Sequence, residues 1–161
     1  MGDARTVRVV LDGRERSAPA EPRLLLSDFL RHELGSTAVH VACEQGGCGA
    51  CMVLLDGRLT LSCLALAVQA DGASVDTVDR MAANGDLHPI QRAFKAKHGL
   101  QCGFCTPGML LASQALLDSN PQPSDQEIRA HLSGNVCRCT GYTGIVAAVR
   151  EAARLLAEDR P

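Results

Sequence analysis

Cys43-Glu44-Gln45-Gly46-Gly47-Cys48-Gly49-Ala50-Cys51 spaces three thiols as C-x4-C-x2-C, and Cys63 follows after eleven intervening residues. This is the ligand spacing of a plant-type [2Fe–2S] cluster. Two irons bridged by two sulfides need four thiolates on one small body. A loop supplies three of them only by curling tightly around it. Such curling needs positive φ and close backbone approach, which glycine tolerates best. Gly46, Gly47 and Gly49 lie among the three cysteines, so backbone N–H groups are free to turn toward sulfur.

The flanking sequence reads as a small sheet. Residues 5 to 11 alternate polar and apolar like a half-buried strand, Asp12-Gly13 is a hairpin turn signal, and a second strand is expected through about Ala18. Leu26, Phe29, Leu30 and Glu33/Leu34 recur at helical spacing, and Gly35 is placed to end that element. After the cysteine loop, Met52 to Leu55 with Asp56-Gly57 predicts a second hairpin whose return strand reaches Cys63. Asp71-Gly72 predicts a turn, and Ala73 to Val78 a last strand. Two strands, a helix, then more strands is a β-grasp order.

Strand patterning stops around residues 79 to 88, where Asn84-Gly85-Asp86 reads as a linker. Helical signals follow. Pro89 and Gly99 bound a helix over His88 to Lys97, and Thr106-Pro107 predicts a cap and first-turn proline for Gly108 to Leu117. Ser124-Asp125-Gln126-Glu127 is a capping box opening a helix through Leu132, and Gly144 to Ala157 is a long Ala/Val/Leu helix. The chain is therefore expected to be α+β, with residues 1–79 β-rich and residues 80–161 all-helical. The last residues, Glu158 to Pro161, are expected to fray.

Two further cysteine pairs sit before predicted helices: Cys102 and Cys105 as C-x2-C, Cys137 and Cys139 as C-x-C. Helix N-termini carry free N–H groups and partial positive charge, which stabilise thiolates. The eight cysteines thus divide into two fours with none left over. No export signal precedes them, which argues for metal rather than disulfides and predicts a cytoplasmic location. Zinc remains an alternative for these pairs, although C-x-C is unusual for structural zinc. Net charge is −2, giving no electrostatic case for nucleic acid or anionic lipid, and no apolar run reaches membrane-span length. With no Trp, three Phe and one Tyr, small aliphatic residues must fill the core.

Gln101-Cys102-Gly103-Phe104-Cys105-Thr106-Pro107-Gly108-Met109 and Gly134-Asn135-Val136-Cys137-Arg138-Cys139-Thr140-Gly141-Tyr142 closely resemble the iron–sulfur subunit or domain of molybdenum hydroxylases. This is the xanthine oxidase, aldehyde oxidoreductase and aerobic carbon monoxide dehydrogenase family. The Cys43 to Cys63 set is similar to its first cluster motif, and the resemblance spans roughly residues 5 to 157. Ala42 stands where Gly often precedes the first cysteine, and Met52 where Thr is common; neither removes a ligand.

The resemblance implies a plant-type ferredoxin domain of β-grasp fold holding the distal [2Fe–2S] cluster through Cys43, Cys48, Cys51 and Cys63. It implies a four-helix-bundle domain holding the proximal [2Fe–2S] cluster through Cys102, Cys105, Cys137 and Cys139. It puts Gln101 and Cys139 against the molybdopterin cofactor of a partner large subunit. Electrons then leave through the proximal and distal clusters, usually to FAD on a medium subunit. The chain would be the separate small subunit of an oxidoreductase, with no substrate-converting site of its own.

Other readings stand beside this one. A freestanding two-cluster ferredoxin would be a soluble carrier that purifies alone, and a zinc assembly module would be colourless. Arg138 is either exposed, or offsets thiolate charge, or faces a partner. Arg92, Lys95, Lys97 and His98 form a basic helix face, solvated by default. His32, His40, His88, His98 and His131 lack paired metal spacing and are expected at the surface or at helix ends. Asp28 and Glu33 make no acid–base pair.

Overall fold

Two Asp-Gly dipeptides shape the first half of the chain. In the computed structural model, which describes residues 3–82 and 85–158, strand β1 (Arg5–Leu11) turns at Asp12-Gly13 into β2 (Arg14–Ala20). Strand β3 (Met52–Leu55) turns at Asp56-Gly57 into β4 (Arg58–Leu61). All four turn residues have positive φ, between 48° and 81°, the backbone a two-residue hairpin needs to match the strand twist. The Asp side chains then act a second time. Asp12 accepts from the Thr77 amide at 2.7 Å and its hydroxyl at 2.9 Å, and Asp56 accepts from the Ser74 amide at 2.9 Å. Both hairpin turns thereby grip the ends of β5 (Ser74–Asp76).

The resulting mixed sheet has the order β2-β1-β5-β3-β4, parallel only between β1 and β5. Its last strand is shorter than the expected Ala73 to Val78, and β2 runs two residues past Ala18. Val7, Val9, Leu11, Val53 and Val75 point to one face and are buried there against Leu26, Phe29 and Leu30. These three come from the expected helix, which is not uniform. Helix α1 (Leu26–Asp28) widens into a π-turn over Phe29–Glu33, with the Leu34 amide donating to the Phe29 carbonyl at 3.0 Å. Gly35 follows at φ 72°, as its place after the element requires.

Helices α2 (Pro89–Ala96), α3 (Thr106–Ser119), α4 (Asp125–His131) and α5 (Thr143–Glu158) form the second half. Of the predicted linker, Asn84 lies outside the described residues, as do 159–161 of the expected frayed end. The Ser124–Glu127 box is present in both directions. The expected cap of α3 is not: Cys105 occupies the N-cap position, one residue before Thr106, whose buried hydroxyl has no partner. His88 caps α2, its Nδ1 accepting from the Ile90 amide at 3.3 Å. The basic face is partly paired, with Lys97 Nζ 3.7 Å from Glu151. Among the described residues no helix is long and apolar enough to cross a membrane.

The halves share a wall. Ile90, Phe94, Met109, Ile128, Ile145 and Val149 centre the helical core, and Met52 and Leu59 on the β3–β4 hairpin pack against it. Helix α3 makes its closest approach at Gly108, where a Cβ would come 2.1 Å from the Gly49 carbonyl oxygen. No side chain fits there. Gly108→Ala should therefore push α3 off the first cysteine loop and cost roughly 1–3 kcal/mol as an overpacking change, read by denaturant unfolding. An unchanged midpoint would show that α3 moves aside freely.

Candidate metal centre

The first cysteine loop curls as its glycines anticipate, though not at every one. Gly46 (φ 77°), Gly49 (φ 72°) and also Glu44 (φ 55°) are left-handed. Gly47 is not, and a Cβ there would meet open space. The curl turns the N–H groups of Gln45, Gly47 and Cys48 to the Cys43 sulfur, and that of Gly46 to Cys63. Cys43 and Cys48 are in hydrogen-bonding contact, as are Cys51 and Cys63. Cys51 and Cys63 are buried, and Ser62 Oγ donates to the Cys51 carbonyl at 2.7 Å to fix the pair. Leu64 lies over Gly46, itself 62% exposed.

The second set gathers in the same manner. Cys102 Sγ and Cys139 Sγ are 3.5 Å apart and exposed, while Cys105 and Cys137 pair further in. The two sets are stitched together by backbone. The Val136 amide donates to the Cys48 carbonyl at 2.9 Å, so this bond joins a cysteine of the first set to the residue next to Cys137. Asn135, 3% exposed, donates from Nδ2 to the Gly49 carbonyl at 3.4 Å and reaches Met52 Sδ at 3.3 Å. Met52, one of the two departures from the family pattern, thus touches the junction. His40 makes a second bridge rather than standing as a plain surface residue: its Nδ1 donates to the Phe104 carbonyl at 2.7 Å, with the rings 4.9 Å apart.

Sulfur environments differ within each set. Hydrogen bonds, led by the Gln45 amide and the Cys48 thiol, hold Cys43 down to about 7. Burial, then Cys51, pushes Cys63 up to about 11. Burial and Cys137 push Cys105 up to about 12. Burial also raises Cys137, but the Thr140 hydroxyl and amide outweigh it and the net shift is downward. Cys139 is raised, chiefly by its contact with Cys102.

Among the described residues no group of three or more His, Cys, Asp or Glu is gathered to hold one metal ion. The thiols instead stand in pairs, and a binuclear cluster takes two thiolates on each iron. That, with amides turned to sulfur, fits a [2Fe–2S] group in each set. Gln101, Cys102, Arg138 and Cys139 are all exposed, on the outer side of the second set. Sequence reasoning did not single out Asn135, Gly108, Thr140 or Tyr142, although all four lie within the quoted motifs.

Comparison with known proteins supports two [2Fe-2S] domains on this chain. Residues 9–87 match the family model of a 2Fe-2S iron-sulfur cluster binding domain, and residues 77–150 that of a [2Fe-2S] binding domain. The chain is 47% identical to the nicotine 6-hydroxylase small subunit of Paenarthrobacter nicotinovorans, over 91% of this chain and 88% of that one. It superposes on a chain of quinoline 2-oxidoreductase from Pseudomonas putida 86 with TM-score 0.93 and 41% identity, covering 99% and 100% of the two chains. Aldehyde oxidoreductase from Desulfovibrio gigas is similar with TM-score 0.89 and 40% identity, over 98% of this chain but 18% of that one.

The thiol environments generate a test on the metal-free, reduced chain. Because the Cys43 value is lowered, its thiolate is present above pH about 7 and lost as pH falls through it. Cys105, at about 12, stays a thiol throughout the neutral range. Iodoacetamide mapping by mass spectrometry should label Cys43 with a midpoint near pH 7 and leave Cys105 the slowest. Equal labelling of the two at pH 7.5 in the folded chain would contradict the described environments.

Proposed function

The chain belongs to the iron–sulfur small subunits of the molybdenum hydroxylases, and we propose that in this role Cys43, Cys48, Cys51 and Cys63 hold one [2Fe–2S] cluster and Cys102, Cys105, Cys137 and Cys139 the other. Bound there, the clusters supply one-electron chemistry, and the protein is an electron-transfer subunit rather than a freestanding ferredoxin. We assign residues 1–79 to a β-grasp ferredoxin domain and 80–161 to a four-helix-bundle domain. The observation that carries the reading is the pairing of all eight thiols into two sets whose loops share a backbone hydrogen bond, Val136 N–H to Cys48 C=O.

The chain's own residues have distinct tasks in this reading. Amides of Gln45, Gly46, Gly47 and Cys48 offer hydrogen bonds to cluster sulfur and favour the more negative, reduced state. Burial of Cys51 and Cys63 keeps water from one side of the first set. The exposed pair Cys102 and Cys139, with Gln101 beside them, is the face we assign to the molybdopterin cofactor of a large partner subunit. The 18% coverage of aldehyde oxidoreductase supports a large partner, since there the same fold is a small part of a longer chain. Exposed Leu64 beside Cys63 suits the first set to a further acceptor, which we take to be FAD on a medium subunit. Substrate conversion belongs to the large subunit, and we place the assembly in the cytoplasm.

Co-expression with the neighbouring genes and purification should give a complex containing molybdenum, with about four irons per copy of this chain by the ligand count. Cys139→Ser should weaken or remove one of two reduced-state electron paramagnetic resonance signals and spare the other. A chain that purifies alone without molybdenum, or with zinc in place of iron, would overturn the reading.

A further inference from the structure

Thr140 lies one residue beyond the C-x-C pair, and its hydroxyl is 3.2 Å from Cys137 Sγ. Among the described residues, Cys137 is the one cysteine whose sulfur has a hydroxyl partner. The direction of this bond follows from what else the oxygen does. Thr140 Oγ1 accepts the Tyr142 amide N–H at 3.1 Å, which occupies a lone pair and leaves its single hydrogen to be donated elsewhere. A cysteine bound to iron is a thiolate and has no proton to give. The hydroxyl hydrogen therefore goes to Cys137 sulfur, and the amide bond behind it polarises the hydroxyl further.

The geometry is held from several sides. Tyr142 sits at φ 67°, a conformation rarely taken by a large residue, and this aims its amide back at Thr140. Its own hydroxyl accepts the Cys137 amide at 2.8 Å and donates to the Asn135 carbonyl at 3.4 Å. Cys137, Thr140 and Tyr142 thus close a ring of hydrogen bonds anchored to the Asn135 junction. The Thr140 amide adds a longer contact to the same sulfur, 3.5 Å.

Resting on the ligand assignment above, we infer that Thr140 is a positioning residue that sets the reduction potential of the cluster held by the second cysteine set, through its hydroxyl bond to Cys137 sulfur. Reduction adds negative charge that is shared by the sulfurs. A donor at one of them stabilises the reduced form more than the oxidised form and raises the potential. Without it, that cluster is harder to reduce, while the first set, which Thr140 does not touch, is unaffected.

The test is a redox titration of the full chain followed by electron paramagnetic resonance, comparing wild type with Thr140→Val, Thr140→Ala and Thr140→Ser. Wild type must first show two [2Fe–2S] signals; if it does not, the ligand assignment has failed and not this inference. In the valine and alanine variants one signal should shift to a more negative midpoint and the other hold still. Serine, which keeps the hydroxyl, should stay at the wild-type value. Unshifted midpoints in valine and alanine, or an equal shift in serine, would overturn the inference. So would loss of the cluster from valine and alanine with retention in serine, because the hydroxyl would then serve assembly instead of potential.

Discussion

The structure depends on one close approach, the contact of the first cysteine loop with helix α3 and the turn before Cys137. Gly49 and Gly108 meet with no room for a Cβ on either, Val136 bonds to the Cys48 carbonyl, and buried Asn135 spans the seam. Each contact is modest alone, on the order of 1 kcal/mol for a hydrogen bond. Together they make two loops, distant in sequence, into one rigid piece. Both loops carry thiols on either side of the seam, so relative placement of the two sets follows from backbone geometry and not from flexible side chains.

The same seam makes the second set lopsided. Its inner pair, Cys105 and Cys137, packs into the apolar helical core, while Cys102 and Cys139 stand in the open. An exposed pair of sulfurs in an isolated chain would be hydrated and accessible, so a covering partner is the natural complement. Helix termini contribute on the inner side, since Cys105 is the N-cap of α3 and its free amides carry partial positive charge. Electron-transfer subunits need this combination of one sealed side and one open side.

Much of this is legible in the sequence. Asp12-Gly13 and Asp56-Gly57 announced their hairpins because a two-residue turn needs positive φ at both positions, a local demand that sequence records directly. Ser124 to Glu127 and Pro89 fixed helix starts for equally local reasons. The cysteine gaps did the same for which thiols gather into each set. What could not be read was non-local. Gly108 looks like an ordinary first-turn residue until the Gly49 carbonyl is beside it, and Asn135 like a loop residue until it is buried. The π-turn at Phe29–Glu33 shares its hydrophobic spacing with a plain helix, and Thr106 looks like a cap although Cys105 holds that position. Gly47 shows the reverse error, a glycine read as conformationally required where the backbone is ordinary.

The central claim is that the two thiol sets hold clusters fixed close together by the Val136–Cys48 bond. Its most direct test is electron paramagnetic resonance of the full chain at low temperature, first with one cluster reduced and then with both. Two paramagnets held a few residues apart should interact, so the account predicts that signals sharp in the half-reduced chain broaden or split when reduction is complete. Two signals that simply add, unchanged in shape at any level of reduction, would contradict it.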